Sequence, residues 1–130
     1  ESLANFCRSR LGKGIVNAKD TVNFIGNRIG CFWMLNGLHH GVTAVNDGMT
    51  IEQIDALMSA PVGLPPTGLY GLIDLIGLDV MNLVGKNLKN NLDVSDVGYK
   101  TSSFPEIQQK MLERGQLGRK TGIGFYNYEF

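Results

Sequence analysis

Phe24-Ile25-Gly26-Asn27-Arg28-Ile29-Gly30-Cys31-Phe32-Trp33-Met34-Leu35-Asn36-Gly37-Leu38-His39-His40-Gly41-Val42-Thr43-Ala44-Val45 decides how this chain is read. Phe24, Ile25, Ile29, Phe32, Leu35, Leu38, Val42 and Val45 recur at steps of three and four, the stripe of a long buried helix. Asn27, Arg28, Asn36, His39 and His40 interrupt the apolar run, so it does not read as a simple membrane span. Asp20 and Thr21 offer N-cap oxygens before it, and Asn46-Asp47-Gly48 ends it.

Downstream, the pattern stays helical. Thr50-Ile51-Glu52-Gln53 has the form of a capping box, flanked by Met49 and Ile54 at the positions of a hydrophobic staple, and opens a helix to about Ser59. Pro61, Gly63, Pro65 and Pro66 make a stiff loop. Thr67 is placed to cap a helix over 69–76, which Gly77 interrupts and Leu78–Leu92 resumes. Ser103-Phe104-Pro105-Glu106 reads as a second capping box, opening a helix that Gly115 stops. The tail from Leu117, rich in glycine and aromatic residues, reads as a packed irregular segment. About five helices are expected after Asp20.

Upstream, Ser2–Leu11 reads as a short helix with Leu3, Phe6 and Cys7 on one face, stopped by Gly12-Lys13-Gly14. Ile15-Val16-Asn17-Ala18 reads as a short strand, and a lone strand cannot satisfy its own ladder. It either pairs with a sheet from elsewhere or is an extended linker. Helix, glycine break and strand together have the order of the last unit of an α/β domain. The start at Glu1, without Met, is read as a cut from a longer protein.

The 130 residues suit one domain, and 43% are apolar, enough for a core. Twelve basic side chains balance twelve acidic ones, so no net field draws in nucleic acid or an anionic membrane. Cys7 and Cys31 lack metal-motif spacing and read as free thiols of a reducing, cytoplasmic setting.

The chemistry-bearing residues are few. Gly115 to Thr121 lacks the glycine that a phosphate loop needs directly before Lys-Thr, and no Gly-x-Gly-x-x-Gly occurs. His39 and His40 are neighbours about 100° apart on a helix, a poor metal clasp, so no metal is expected. Asp74 and Asp79 read as structural or capping groups. Asn27 stands out, because a side-chain amide in the first turns of the long helix can hold a polar substrate oxygen. Local capping and core hydrogen bonding are its plainer alternatives.

Three blocks carry a resemblance. Ala18-Lys19-Asp20-Thr21-Val22-Asn23-Phe24-Ile25-Gly26-Asn27-Arg28-Ile29 is similar to the junction segment of NAD-dependent 3-hydroxyacyl-CoA dehydrogenases. Pro65-Pro66-Thr67-Gly68-Leu69-Tyr70-Gly71-Leu72-Ile73-Asp74-Leu75-Ile76-Gly77-Leu78-Asp79-Val80 resembles the family's second block. Leu117-Gly118-Arg119-Lys120-Thr121-Gly122-Ile123-Gly124-Phe125-Tyr126-Asn127-Tyr128 resembles its terminal block.

The resemblance implies a mainly α fold, the helical C-terminal domain of the 3-hydroxyacyl-CoA dehydrogenase / 6-phosphogluconate dehydrogenase C-terminal-like type. Residues 1–19 would be the last helix and strand of a truncated Rossmann domain, and residues 20–130 the substrate-binding and dimerisation domain. NAD would be bound by the missing N-terminal domain, which in the family also carries the catalytic histidine and glutamate. Neither of those has a counterpart here. Asn27 matches the asparagine that hydrogen-bonds the reacting oxygen. Arg119 and Lys120 would pin carbonyls or a neighbouring helix, with a CoA-phosphate site as the alternative.

Val22 departs from the family's frequent proline, and the loop between Asn90 and Ser103 has no match. The expected parent activity is oxidation of (S)-3-hydroxyacyl-CoA to 3-oxoacyl-CoA in fatty-acid β-oxidation, in a cytoplasmic homodimer, with this chain alone inactive. The alternatives are a non-redox acyl-CoA-binding or self-associating scaffold module, and a hydroxyacid dehydrogenase whose substrate lacks CoA.

Overall fold

A computed structural model describes residues 2–129. Six α-helices follow in chain order among the described residues: α1 (Ser2–Leu11), α2 (Gly26–Asn46), α3 (Ile51–Leu57), α4 (Gly68–Ile76), α5 (Leu78–Asn91) and α6 (Glu106–Glu113). Single 3₁₀ turns lie at Ala60–Val62 and Arg119–Thr121. The mainly helical expectation holds, with five helices after Asp20.

The core forms where α2, α4 and α5 meet. Leu35 and Leu38 of α2 pack with Leu69 and Ile73 of α4 and with Leu78, Met81 and Leu88 of α5, all fully buried. The stripe on α2 is narrower than expected. Its middle is buried, whereas Phe24, Ile25, Ile29 and Val45 stay exposed. The helix also starts later, at Gly26, and neither Asp20 nor Thr21 caps it. Its N-cap position is Ile25, without a side-chain bond, because Asn23 and Phe24 turn left-handed (φ +61° and +51°) and separate those oxygens from the first turn.

At α3 the capping box forms as read. Thr50 Oγ1 accepts the Gln53 N–H at 3.2 Å, and Gln53 Oε1 accepts the Thr50 N–H at 2.9 Å. The helix ends at Leu57, just short of the expected Ser59. The second box does not form. Pro105 occupies the N-cap of α6, the Ser103 carbonyl bonds His39 Nε2 at 2.7 Å, and Glu106 pairs with Lys110 instead.

Thr67 does not cap α4 either. Its role falls to Asp55 of α3, a buried carboxylate whose Oδ1 accepts the Tyr70 N–H at 2.7 Å and whose Oδ2 accepts the Gly71 N–H at 2.9 Å. These are free amides of a helix N-terminus, where an anion is favoured. Gly77 then breaks the helix at φ +103°, and α5 leaves α4 at 93°. No single described helix is long and apolar enough to cross a membrane.

Asp74, 1% exposed, anchors the tail. Its carboxylate accepts the N–H groups of Phe125 and Tyr126 and the Tyr128 hydroxyl, each at 3.0 Å. Gly118 (φ +108°) makes this approach possible, since a Cβ there would stand 2.4 Å from the Asp74 carbonyl oxygen. The Tyr126 hydroxyl donates to Asp55 at 2.8 Å, so one aromatic segment ties both carboxylates. The packed irregular tail and the structural roles of Asp74 and Asp79 are therefore as read. Asp79 pairs with Lys120, pinning the Arg119–Thr121 turn to α5.

One expectation fails near the start. Residues 12–19 form no strand, because the described residues offer no second strand for a ladder. An unpaired segment is what both readings of Ile15–Ala18, a strand whose sheet lies elsewhere and an extended linker, would show here. None of the residues of α1 is buried, and Leu3, Phe6 and Leu11 are all exposed.

Removing the Asp74 acceptor, which strands three partly buried donors at once, should cost far more than removing one donor. Asp74→Ala is expected to lower unfolding stability by about 3–5 kcal/mol and Tyr128→Phe by about 1–2 kcal/mol, measured by urea denaturation. The tyrosines give a pH dependence. Burial, followed by the bond to Asp74, pushes the Tyr128 phenol from 10.0 up to about 12, and burial with Asp55 pushes Tyr126 up as well. A group whose folded-state value is raised contributes fully below its unfolded value. Stability should therefore hold up to about pH 10 and decline toward pH 12, with late phenolate absorbance for both rings.

Candidate functional site

Asn27 lies in the first turn of α2, one residue after the helix begins, and its side chain is exposed. It does not cap the helix and it is not buried, so neither of the plainer roles read from sequence describes it. The amide stands at the positive end of a 21-residue helix, where partial positive charge favours an electron-rich oxygen. Phe24, Ile25 and Ile29, at 57%, 47% and 66% exposure, surround it in sequence and leave the same end of α2 uncovered. An uncapped helix start, an exposed amide and three exposed apolar side chains describe a face suited to burial against another surface.

The next residue fixes this end of the helix. Arg28, partly buried, forms an ion pair with Asp96, and the same Asp96 oxygen accepts the Gly98 N–H at 2.7 Å. The Gly98 bond first, and the Arg28 guanidinium second, hold the Asp96 carboxyl below the usual carboxylate range. The loop between α5 and α6, unmatched in sequence, is thus tied to the first turn of α2. Cys31, one turn further, is a buried free thiol that burial pushes up, with Arg28 acting in the opposite sense. Cys7 is the other free cysteine. The Asn23 amide nitrogen beside this end of α2 is sealed and without a partner.

The remaining candidates do not join Asn27. His39 is spent on the Ser103 carbonyl, and His40 lies exposed one residue on, on the far half of α2. Among the described residues no three of His, Cys, Asp and Glu converge as metal ligands would. Arg119 is exposed, and Lys120 is engaged by Asp79, which fits a pinning role for that turn. The chain does not fit a dinucleotide cofactor, since the described residues contain neither a parallel sheet nor a glycine-rich turn opening a helix beside one.

Sequence reasoning placed Asn27 correctly on the first turn but missed Arg28 and Asp96. Their 68-residue separation leaves no local signal. It also placed Phe24, Ile25 and Ile29 in the core. A purely helical periodicity cannot tell a core stripe from an apolar stripe awaiting a partner.

Comparison with known proteins identifies the family. Residues 24–128 match the family described as 3-hydroxyacyl-CoA dehydrogenase, C-terminal domain. A protein of Rickettsia prowazekii, provisionally named as a fatty acid oxidation complex trifunctional enzyme, is 39% identical over 97% of this chain and 17% of its own length. The mitochondrial hydroxyacyl-coenzyme A dehydrogenase of Rattus norvegicus is 33% identical over 99% of this chain and 38% of its own length. The crystal structure of (S)-3-hydroxybutyryl-CoA dehydrogenase from Ralstonia eutropha superposes with a TM-score of 0.80 at 29% identity, covering 99% of this chain and 42% of that one. The chain thus spans less than half the length of each of these relatives. On the family match, the three sequence blocks and the shared helical fold, the chain belongs to the 3-hydroxyacyl-CoA dehydrogenase C-terminal domain family.

Proposed function

We propose that this chain is the substrate-contacting helical domain of an enzyme that oxidises (S)-3-hydroxyacyl-CoA to 3-oxoacyl-CoA with NAD, in fatty-acid β-oxidation. Residues 20–130 form that domain, and residues 1–19 belong to the end of a Rossmann domain that holds NAD and supplies the proton-transferring histidine and its glutamate. The observation that carries the reading is Asn27 standing exposed on the first turn of α2, at the start of the segment that matches the family. The unburied α1 and the unpaired segment 12–19 support a larger surface for this end of the molecule.

In this reading the Asn27 amide donates to the reacting oxygen of the substrate. It orients the 3-hydroxyl carbon and favours negative charge building on that oxygen, with the N-terminus of α2 adding to the same field. Arg28 and Asp96 hold the turn so that the amide does not have to be ordered at the moment of reaction. Phe24, Ile25 and Ile29 exclude water once the partner domain covers them. The enzyme is a cytoplasmic homodimer in this proposal. Leu75, Val80 and Leu83, exposed around the α4–α5 elbow, support a second apolar contact surface apart from the Asn27 end.

The test is Asn27→Ala in the full-length enzyme. kcat for 3-hydroxybutyryl-CoA should fall about 10²–10³-fold, the scale for one lost oxyanion donor, with the KM for NAD unchanged. The same substitution in this chain should leave its melting temperature unaltered, because the side chain is exposed. An unchanged kcat would remove Asn27 from the reaction. This chain alone, given NAD and 3-hydroxybutyryl-CoA, is expected to produce no NADH absorbance.

A further inference from the structure

The far half of α2 carries a feature that the proposed reaction does not use. A cleft of about 290 Å³ opens between α2, α6 and the C-terminal segment. Val42, Val45, Ile51, Met111 and Phe125 make its walls apolar. Its floor includes Tyr70, whose hydroxyl approaches the backbone of Gly41 so closely that a Cβ there would lie 2.0 Å away. The cleft begins fourteen residues beyond Asn27 on α2, about 21 Å along the axis, and does not rest on the role of that residue.

Asn46, Gln108, Arg114 and Gln116 break the apolar lining, and two of them bear on a ligand. Gln108 of α6 is 3% exposed, and its Oε1 is sealed without a hydrogen-bond partner. A buried amide left short of a partner is costly, and native interiors rarely tolerate one. The amide can turn end for end, so it can meet a polar group in the cleft with either its oxygen or its nitrogen. Arg114, at the C-terminus of α6, lines the same cleft and forms no ion pair among the described residues. Apolar walls with one guanidinium and one buried amide suit an amphipathic acid. At ~30 Å³ per water-sized group the cleft holds about ten heavy atoms.

We propose that this cleft is a binding site for a medium-chain monocarboxylate. The carboxylate meets Arg114 and the Gln108 amide, and the alkyl chain lies along Val42, Val45, Ile51, Met111 and Phe125.

Octanoate, with ten heavy atoms, is the probe, titrated into this chain while its methyl resonances are followed by NMR. Saturable shifts at Val42, Val45, Ile51 and Met111 are expected. Octan-1-ol and the Arg114→Gln variant should each bind about tenfold more weakly, the scale of one lost charge-assisted bond. Arg114 is exposed, so its variant should retain the fold. Val42→Trp, which fills the cleft, should abolish the shifts, with dispersed spectra confirming that it is folded. No saturable shift, equal affinity for octan-1-ol, an unaffected Arg114→Gln, or shifts confined to Ile25 and Ile29 at the opposite end of α2 would each overturn the proposal.

Discussion

Two carboxylates without a cation hold this domain together. Asp55 and Asp74 are buried, yet the partners their oxygens accept from are backbone N–H groups and tyrosine hydroxyls rather than lysine or arginine. A polar group in an apolar interior is tolerated only when its lone pairs are met, and here each oxygen has at least one donor. The result is a clamp. Asp55 fixes where α4 starts, Asp74 fixes where the tail crosses α4, and Tyr126 reaches both through its backbone N–H and its hydroxyl. The core around Leu69 and Ile73 can then close on a helix whose end and covering strip are both set.

How far this was legible follows from the distance between partners. The Thr50–Gln53 cap could be read because the two side chains lie within one turn and need nothing else. The Gly77 break could be read because only a glycine escapes the helix so easily at that φ. The Asp55 contacts span 15, 16 and 71 residues and those of Asp74 span 51 to 54, so no local pattern announces them. Thr67 looked like the cap of α4 because the helix needed one; the fold supplied it from another helix. Ser103 shows the reverse case, a good local cap on paper that the helix does not use, since it starts from Pro105 and the Ser103 backbone carbonyl, not its hydroxyl, meets His39. The site divides in the same way. Helical register placed Asn27, whereas the Arg28–Asp96 tie that steadies it exists only in three dimensions.

The two ends of α2 have different characters. Near Asn27 the helix is uncapped, polar at one point and apolar around it, a surface that reads as half of a joint. Toward Val45 the same helix becomes one wall of a cleft built wholly from this chain. Between them, Leu35 and Leu38 hold it in the core. One long helix therefore serves as a rigid beam, and any load placed on the first turn bears on the packed middle.

The stand-off of the first helix has a further consequence. Ten residues with no buried side chain form a helix of marginal intrinsic stability, since so short a segment gains little from propagation. The amides of residues 2–19 should trade their protons for deuterium through cheap local fraying. Those of α2, α4 and α5 must wait for the clamp around Asp55 and Asp74 to release. Two tiers on one backbone are the expected result, and the boundary between them falls before Val22, the first residue of this end to pack on the core.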